Sequence, residues 1–321
     1  MDVTLALFAY NQERFIEAAL RSALGQTCDP IQIIASDDCS SDNTFGLMQA
    51  VADGYSGPHR LLVRRNEKNL GIGAHVNELM RLAEGRLVVL MAGDDISLPQ
   101  RVERTVRAWK ASGERLDLLA AHVFDMSPDG QDLGIKRVDT LQQWRSIDDW
   151  LRRRPYVIGA AHAVTRRLFA RFGPLADDAF HEDEINAFRA ICSGGGQTID
   201  EPLVRYRRGG LSRTPPWAKT FVTAETRRNA MYLAMFDQWI RDAAIAGCKT
   251  LVESSLEWEV QRELFIRRLQ QTATLRDQLK VVAASSDLPR GWRLKRLVQR
   301  HMPRTAKVIK HVKSSWRRDS L

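Results

Sequence analysis

Short apolar runs that alternate with amphipathic stretches constrain this chain more than any other feature of it. The runs at Val3 to Ala9, Ile31 to Ser36, Arg60 to Arg65, Leu87 to Met91 and Leu116 to Phe124 have the length and content of strands. Between the first two, Phe15, Ile16, Ala19, Leu20, Ala23 and Leu24 recur at helical spacing, and Gly25 stands where a helix stops. Similar helices fit Thr44 to Ala52, Ala74 to Glu84 and Pro99 to Ser112. The last opens with Pro at a first-turn position, where its missing N–H costs nothing. Strand and helix in alternation give an α/β class, a mostly parallel sheet flanked by helices, beginning at residue 1.

From about 125 to 215 the periodicity loosens. A helix is expected near Asp183 to Cys192 and a short strand at Pro202 to Arg207, as a substrate-side extension of the same sheet. Past Thr214-Pro215-Pro216, residues 217 to 284 carry few Gly or Pro and hold Leu, Phe, Trp and Ile at helical spacing. The expected organisation is a catalytic domain over 1–215, a helical C-terminal region over 216–288 and a basic amphipathic tail over 289–321.

With 321 residues, 44% hydrophobic and 27% charged, the chain is long enough for about two domains and is neither disordered, collagenous nor disulfide-stapled. No apolar run approaches the ~20 residues that span a bilayer. The start, MDVTLALFAY, has no basic region ahead of an apolar one, so neither a membrane span nor a secretory signal is expected. Cys28, Cys39, Cys192 and Cys248 form no CxxC pair and no zinc-ligand spacing. They read as reduced, and the compartment as cytoplasmic. The net charge is +9, yet residues 290 to 318 hold eleven Lys or Arg and no acid, so the rest of the chain sums to 9 minus 11, or −2.

Four clusters stand where such a fold puts loops: FAYNQE at 8–13, SDDCSSDNT at 36–44, MAGDDISLP at 91–99 and HEDE at 181–184. Three follow predicted strands at the edge where open α/β sheets bind ligands. Asp94 and Asp95 form a pair that repels itself unless a cation sits there, and hard oxygen ligands select Mg²⁺ or Mn²⁺ together with substrate phosphates. The plain alternative is an acidic loop ahead of a helix. Asp37 and Asp38 read either as a turn and helix cap or as acceptors for a pyrimidine N3–H or a ribose hydroxyl. Glu182 and Asp183 read as first-turn helix acids, or Asp183 as a general base if it faces the crevice. The segment NLGIGAHVNE at 69–78 is a poor dinucleotide fingerprint, with Val76 in place of the third Gly. There is no phosphate loop, and the histidines lack ligand spacing.

Taken in order, VTLALFAYNQERFIEAALRSALGQT, IQIIASDDCSSDNT and NEKNLGIGAHVNELMRLAEGRLVVLMAGDDISLP resemble the N-terminal half of family 2 glycosyltransferases of GT-A fold. The match is strong over residues 3 to 105 and weaker to about 212, where HED is similar to the family's base motif and PLVRYRRGGLS to its closing segment. The resemblance implies an inverting, non-processive, metal-dependent transfer of one sugar from a UDP or dTDP donor to a saccharide or lipid-linked saccharide acceptor in bacterial surface-polysaccharide synthesis. It implies that Tyr10 stacks on the base and Asp38 hydrogen-bonds it. Asn11, Glu13, Asn69 and Asp94 would contact the donor, Asp95 would hold Mn²⁺ or Mg²⁺, and Asp183 would be the base. Ala92 departs from the pattern, standing where many members carry the first carboxylate of a DxD, which puts the metal on Asp95. QxxRW is absent, which argues against a processive synthase.

The tail from Leu288 combines Trp292, Leu294, Leu297, Val298, Val308, Ile309 and Trp316 with eleven basic residues. It reads as a binder of anionic membrane surface, with a solvated helix as the plain alternative. A peripheral position on the inner face of the membrane would suit a lipid-linked acceptor, and nucleic acid is not expected as a partner. The competing function is a catalytically inactive GT-A-like nucleotide-binding or scaffold protein, for which Ala92 is the supporting feature. A nucleotidyltransferase is disfavoured, since FAYNQERF stands where a Gly- and Lys-rich loop belongs.

Overall fold

The computed structural model describes residues 2–209 and 221–301. Its elements run β1 (Val3–Ala9), α1 (Ile16–Leu24), β2 (Gln32–Asp37), α2 (Thr44–Asp53), β3 (Arg60–Arg65), α3 (Ile72–Leu82), β4 (Leu87–Ala92), β5 (Ile96–Ser97), α4 (Arg101–Ala111), β6 (Leu118–Met126) and β7 (Asp132–Lys136). Then come α5 (Ile147–Arg152), β8 (His162–Thr165), α6 (Arg166–Phe172), α7 (Glu182–Ile191), β9 (Gly196–Arg207) and four further helices, α8 (Phe221–Ala246), α9 (Lys249–Gln271), α10 (Leu275–Ala284) and α11 (Arg290–His301).

The strands form one sheet in the order β3-β2-β1-β4-β8-β6-β9-β5, with β7 paired to β6. Pairing directions set β1, β2, β3, β4, β6 and β9 one way and β5, β7 and β8 the other. The sheet is therefore mostly parallel and flanked by helices, the expected class. Every residue of β1 and β2 is buried, because a parallel strand covered by helices on both faces has no solvated side. Leu5, Leu7, Ile33, Val89 and Met91 pack against Ile16, Leu20 and Trp109 from the helices.

Three local expectations shift. The helix expected at Ala74 begins at Ile72, because Gly71, at φ +79, turns the chain into it earlier. Pro99 precedes helix α4 rather than sitting in its first turn, since Gln100 is the N-cap. The short strand expected at Pro202 is the end of the twelve-residue β9. Its pairing with β6 slips between Ile199 and Val204, and Pro202, with no N–H to donate, stands in the slip.

The chain divides into two compact units, residues 1–213 with 237–252 and residues 214–236 with 253–321, two of the three divisions falling inside α8 and α9. In the first, Trp239 meets Trp150 at 5.0 Å between ring centroids and Trp150 meets Phe188 at 4.8 Å. There too Arg189 and Asp242, both fully buried, pair at 2.7 Å. In the second, Phe265, Leu269, Val282, Leu288 and Leu297 form a core with Trp292 against it. All four cysteines are free. Among the described residues no helix is long and apolar enough to cross a membrane. Of the expected tail, residues 302–321, including Val308, Ile309 and Trp316, lie outside the described residues, as does the Thr214-Pro215-Pro216 break.

Candidate active site

The chain leaves β1 for β2 on one side and returns to β4 on the other. The loops after β1 and β4 therefore diverge, which opens a crevice at the C-terminal edge of the sheet. Asn11, in the left-handed region at φ 51, accepts from the Ser41 N–H at 2.8 Å through its side-chain oxygen. Glu13 accepts from the Asn43 N–H at 3.0 Å. Both side chains lace the loop after β1 to the loop after β2. Asp38 is buried and its carboxylate accepts from Asn66 Nδ2 at 2.7 Å, the Leu70 N–H at 2.9 Å and the Gly71 N–H at 3.0 Å. The exposed Asn69 adds an acceptor to the Gly71 N–H at 3.1 Å. This cluster closes the 66–71 segment over the end of β2, with the half-buried Tyr10 at the end of β1.

A cavity of about 240 Å³ joins Phe8 and Gln12 after β1, Asp94 and Asp95 after β4, and Glu182 and Asp183 at the start of α7, with Tyr156, Phe180, Tyr206 and Arg207 around it. The structure thus brings Asp183 to the Asp94–Asp95 pair across 88 residues of sequence. Tyr10, Asn11, Glu13, Asp38 and Asn69 are not in its lining. Asp95 Oδ1 accepts from the Arg207 N–H at 2.7 Å, and Arg207 Nε donates to the Asp94 carbonyl at 3.1 Å. The Arg207 guanidinium lies 4.3 Å from the Phe15 ring centroid. Asp183 accepts from the Gly159 N–H at 3.1 Å and, through its other oxygen, from the Glu184 N–H at 2.9 Å.

Burial raises the Asp94 carboxyl above its ordinary range, against the pull of Arg207 and of a hydrogen bond from Gln12. Burial and then the Asp94 charge push Asp95 well above it, with the Arg207 N–H and Arg101 opposing. Arg101, wholly buried behind the pair, is lowered to about 10 by its own desolvation. At α7, burial raises Asp183 and, together with the Asp183 charge, raises Glu182 well above its range. Glu184 is pushed up to about 7 by burial and then by Asp183. A buried acidic site held charged at neutral pH needs cations to compensate it.

That requirement fits a divalent cation. Among the described residues, Asp95 Oδ2 and the Gln12 side-chain oxygen are buried and have no hydrogen-bond partner. Among the described residues no group of three or more His, Cys, Asp or Glu is placed to hold a metal by itself. Mg²⁺ and Mn²⁺ suit such a site, because they bind through one or two carboxylates and complete their shell with water and substrate phosphate.

The family model for glycosyl transferase family 2 matches residues 4–169, from the second residue of β1 into α6. The chain belongs to this family. Among curated relatives of this family 2 chain, the succinoglycan biosynthesis protein ExoO of Rhizobium meliloti is 31% identical over 226 residues, which cover 66% of the chain and 63% of the relative. The chain spans less than two thirds of the length of the first curated relatives it matches. Among solved structures, S. aureus TarS 1–349 in complex with UDP-GlcNAc aligns at a TM-score of 0.60 and 16% identity, over 93% of the chain and 81% of that TarS 1–349 chain. The mannosyltransferase PcManGT of Pyrobaculum calidifontis, in complex with GDP-Man and Mn2+, aligns at 0.53 and 18% identity, over 94% and 88%. At those identities the two structures establish the GT-A fold of this family 2 chain.

Sequence reasoning did not single out Gln12, Arg101, Tyr156, Tyr206 or Arg207. Arg101 and Arg207 look like ordinary surface cations in sequence, and nothing in their spacing announces that the fold buries one and locks the other against Asp94 and Asp95. The aromatic residues Phe8 on β1, Tyr156 in the loop after α5 and Tyr206 on β9 form no motif. Gln12 did carry a signal, since it lies inside the quoted FAYNQE cluster.

Proposed function

We propose that this glycosyltransferase is inverting and metal-dependent, and that it moves one sugar from a UDP or dTDP donor to a saccharide or lipid-linked saccharide acceptor in bacterial surface-polysaccharide synthesis. The single observation that carries the reading is the cavity itself, which sets the Asp94–Asp95 pair and Asp183 around one space. Its 240 Å³ is less than the ~300–1,000 Å³ that encloses a whole small ligand. The sugar and diphosphate then occupy the cavity, and the nucleoside extends toward the end of β2. There Tyr10 stacks on the base and Asp38, one of whose oxygens accepts the Gly71 N–H, takes its N3–H. Asn11, Glu13 and Asn69 serve by holding the loops that shape that end.

In transfer, Asp183 takes the proton of the acceptor hydroxyl as its oxygen attacks the anomeric carbon, and the bond to the diphosphate breaks on the opposite face. Burial raises the affinity of Asp183 for that proton, and the two backbone N–H groups keep the carboxylate aimed. Asp95, with Asp94, would hold Mn²⁺ or Mg²⁺, which would supply positive charge to the departing diphosphate. In this reading residues 1–215 carry donor binding and catalysis, residues 216–288 are a helical region, and the basic tail 289–321 meets an anionic membrane surface. The relative named for succinoglycan biosynthesis and the fold neighbours holding UDP-GlcNAc and GDP-Man with Mn2+ support it.

The test is calorimetric titration of UDP, dTDP, GDP and ADP into the full chain, with Mn²⁺ and again with EDTA. One pyrimidine diphosphate is expected to bind at least about tenfold more tightly with Mn²⁺ than with EDTA, the loss typical of an impaired metal site. No binding by any of the four to a folded sample would favour the inactive scaffold.

A further inference from the structure

Ala92 leaves the cation site one carboxylate short of a DxD, and the structure shows what stands beside the gap. Gln12 is 7% exposed. Its backbone is pinned by the Thr44 hydroxyl, which accepts the Gln12 N–H at 2.7 Å, and its carbonyl accepts the Phe15 and Ile16 N–H groups at 2.9 Å at the entry to α1. The side chain lines the cavity with Asp94 and Asp95, and among the described residues its amide oxygen is buried and unpartnered. Gly93 permits this placement, because a Cβ there would stand 2.4 Å from that oxygen and 2.9 Å from Ala9 Cβ. Among the described residues, two side chains that line the cavity carry a buried oxygen with no partner, and they are Asp95 and Gln12.

An orphaned buried amide oxygen is costly unless something electropositive satisfies it. Among the described residues no donor does so. We infer that Gln12 supplies the neutral oxygen donor that compensates for the carboxylate absent at Ala92, completing with Asp94 and Asp95 the protein's share of the divalent-cation site. This rests on the metal-dependent reading above. Two carboxylates and an amide give the site a charge of about −2 rather than −3, partly offset by Arg101. Such a site holds a cation weakly alone and firmly as the complex with a diphosphate, whose oxygens complete the shell.

The experiment is Mn²⁺ titration followed by electron paramagnetic resonance on the full chain, with and without UDP, comparing wild type with Gln12→Leu, Gln12→Glu and the double variant Ala92→Asp/Gln12→Leu. Thermal melting of each variant without metal provides the folding control. The expected result is UDP-dependent Mn²⁺ binding by wild type and a loss of about 10–100-fold in Gln12→Leu, the range for disturbed metal sites. Binding by Gln12→Glu should be equal or tighter, and Ala92→Asp should restore affinity to the Leu background. Wild-type affinity in a folded Gln12→Leu overturns the inference alone. Failure of wild type to bind Mn²⁺ with UDP overturns it together with the metal-dependent reading. If Gln12→Leu does not fold, Gln12→Glu decides, since a tenfold weaker Mn²⁺ complex in that variant contradicts an oxygen donor at this position.

Discussion

Replacing Asp183 by Asn is expected to lower kcat for sugar transfer by about 10²–10⁴-fold, the usual worth of a general base, while UDP affinity changes by less than about twofold. The substitution keeps the size of the side chain and an oxygen to accept from the Gly159 or Glu184 N–H. It removes the proposed proton acceptor. The pH profile supplies a second readout. Burial raises Asp183 above the ordinary carboxylate range, so wild-type kcat should fall on the acid side at a pH above that range, where the base becomes protonated. That limb should vanish in the variant. Near-full transfer by Asp183→Asn would show that another group takes the proton.

The second large effect is on stability. Asp242→Ala is expected to cost about 3–5 kcal/mol in urea unfolding of the full chain, the cost of leaving one buried charge without its partner. Arg189 Nε and Nη2 donate to the two Asp242 oxygens at 2.7 and 3.1 Å, and neither side chain is exposed. Gln238 adds a bond to Asp242 at 2.8 Å and accepts the Ala176 N–H at 2.8 Å. Against a total of about 5–15 kcal/mol for a domain, the loss would be a large fraction. Arg189→Met/Asp242→Leu should lie closer to wild type, because replacing both charges leaves neither uncompensated. A loss under about 1 kcal/mol in Asp242→Ala would mean that water reaches the pair. Arg189 stands on α7, whose first turn carries Asp183, so the pair anchors the helix that positions the proposed base.

Much of the sheet was legible because burial writes itself into sequence. Strand β1 is apolar at nearly every position, and α1 repeats its stripe down to Gly25. Strands β7 and β8 were not legible. Residues 132–136 are mostly exposed on an edge, and four residues at 162–165 are too short to show a period. The acids of the candidate site stood out because adjacent carboxylates at a strand end are conspicuous. Their partners did not, since Arg101 and Arg207 acquire their roles only through burial and through contacts across 112 residues. Gln12 illustrates the limit well. Its place inside FAYNQE marks the loop but not the amide, whose orphaned oxygen is a property of packing alone.

The central claim is that Asp94 and Asp95 hold the cation and the donor diphosphate in the cavity that Asp183 also lines. A crystal structure of the full chain with UDP and Mn²⁺ tests it most directly. The account predicts the cation within about 2.0–2.6 Å of a carboxylate oxygen of that pair, the range for hard cations on oxygen ligands, with the diphosphate completing its shell and Asp183 facing the same space. A diphosphate bound elsewhere, or a cation that touches neither Asp94 nor Asp95, would contradict it.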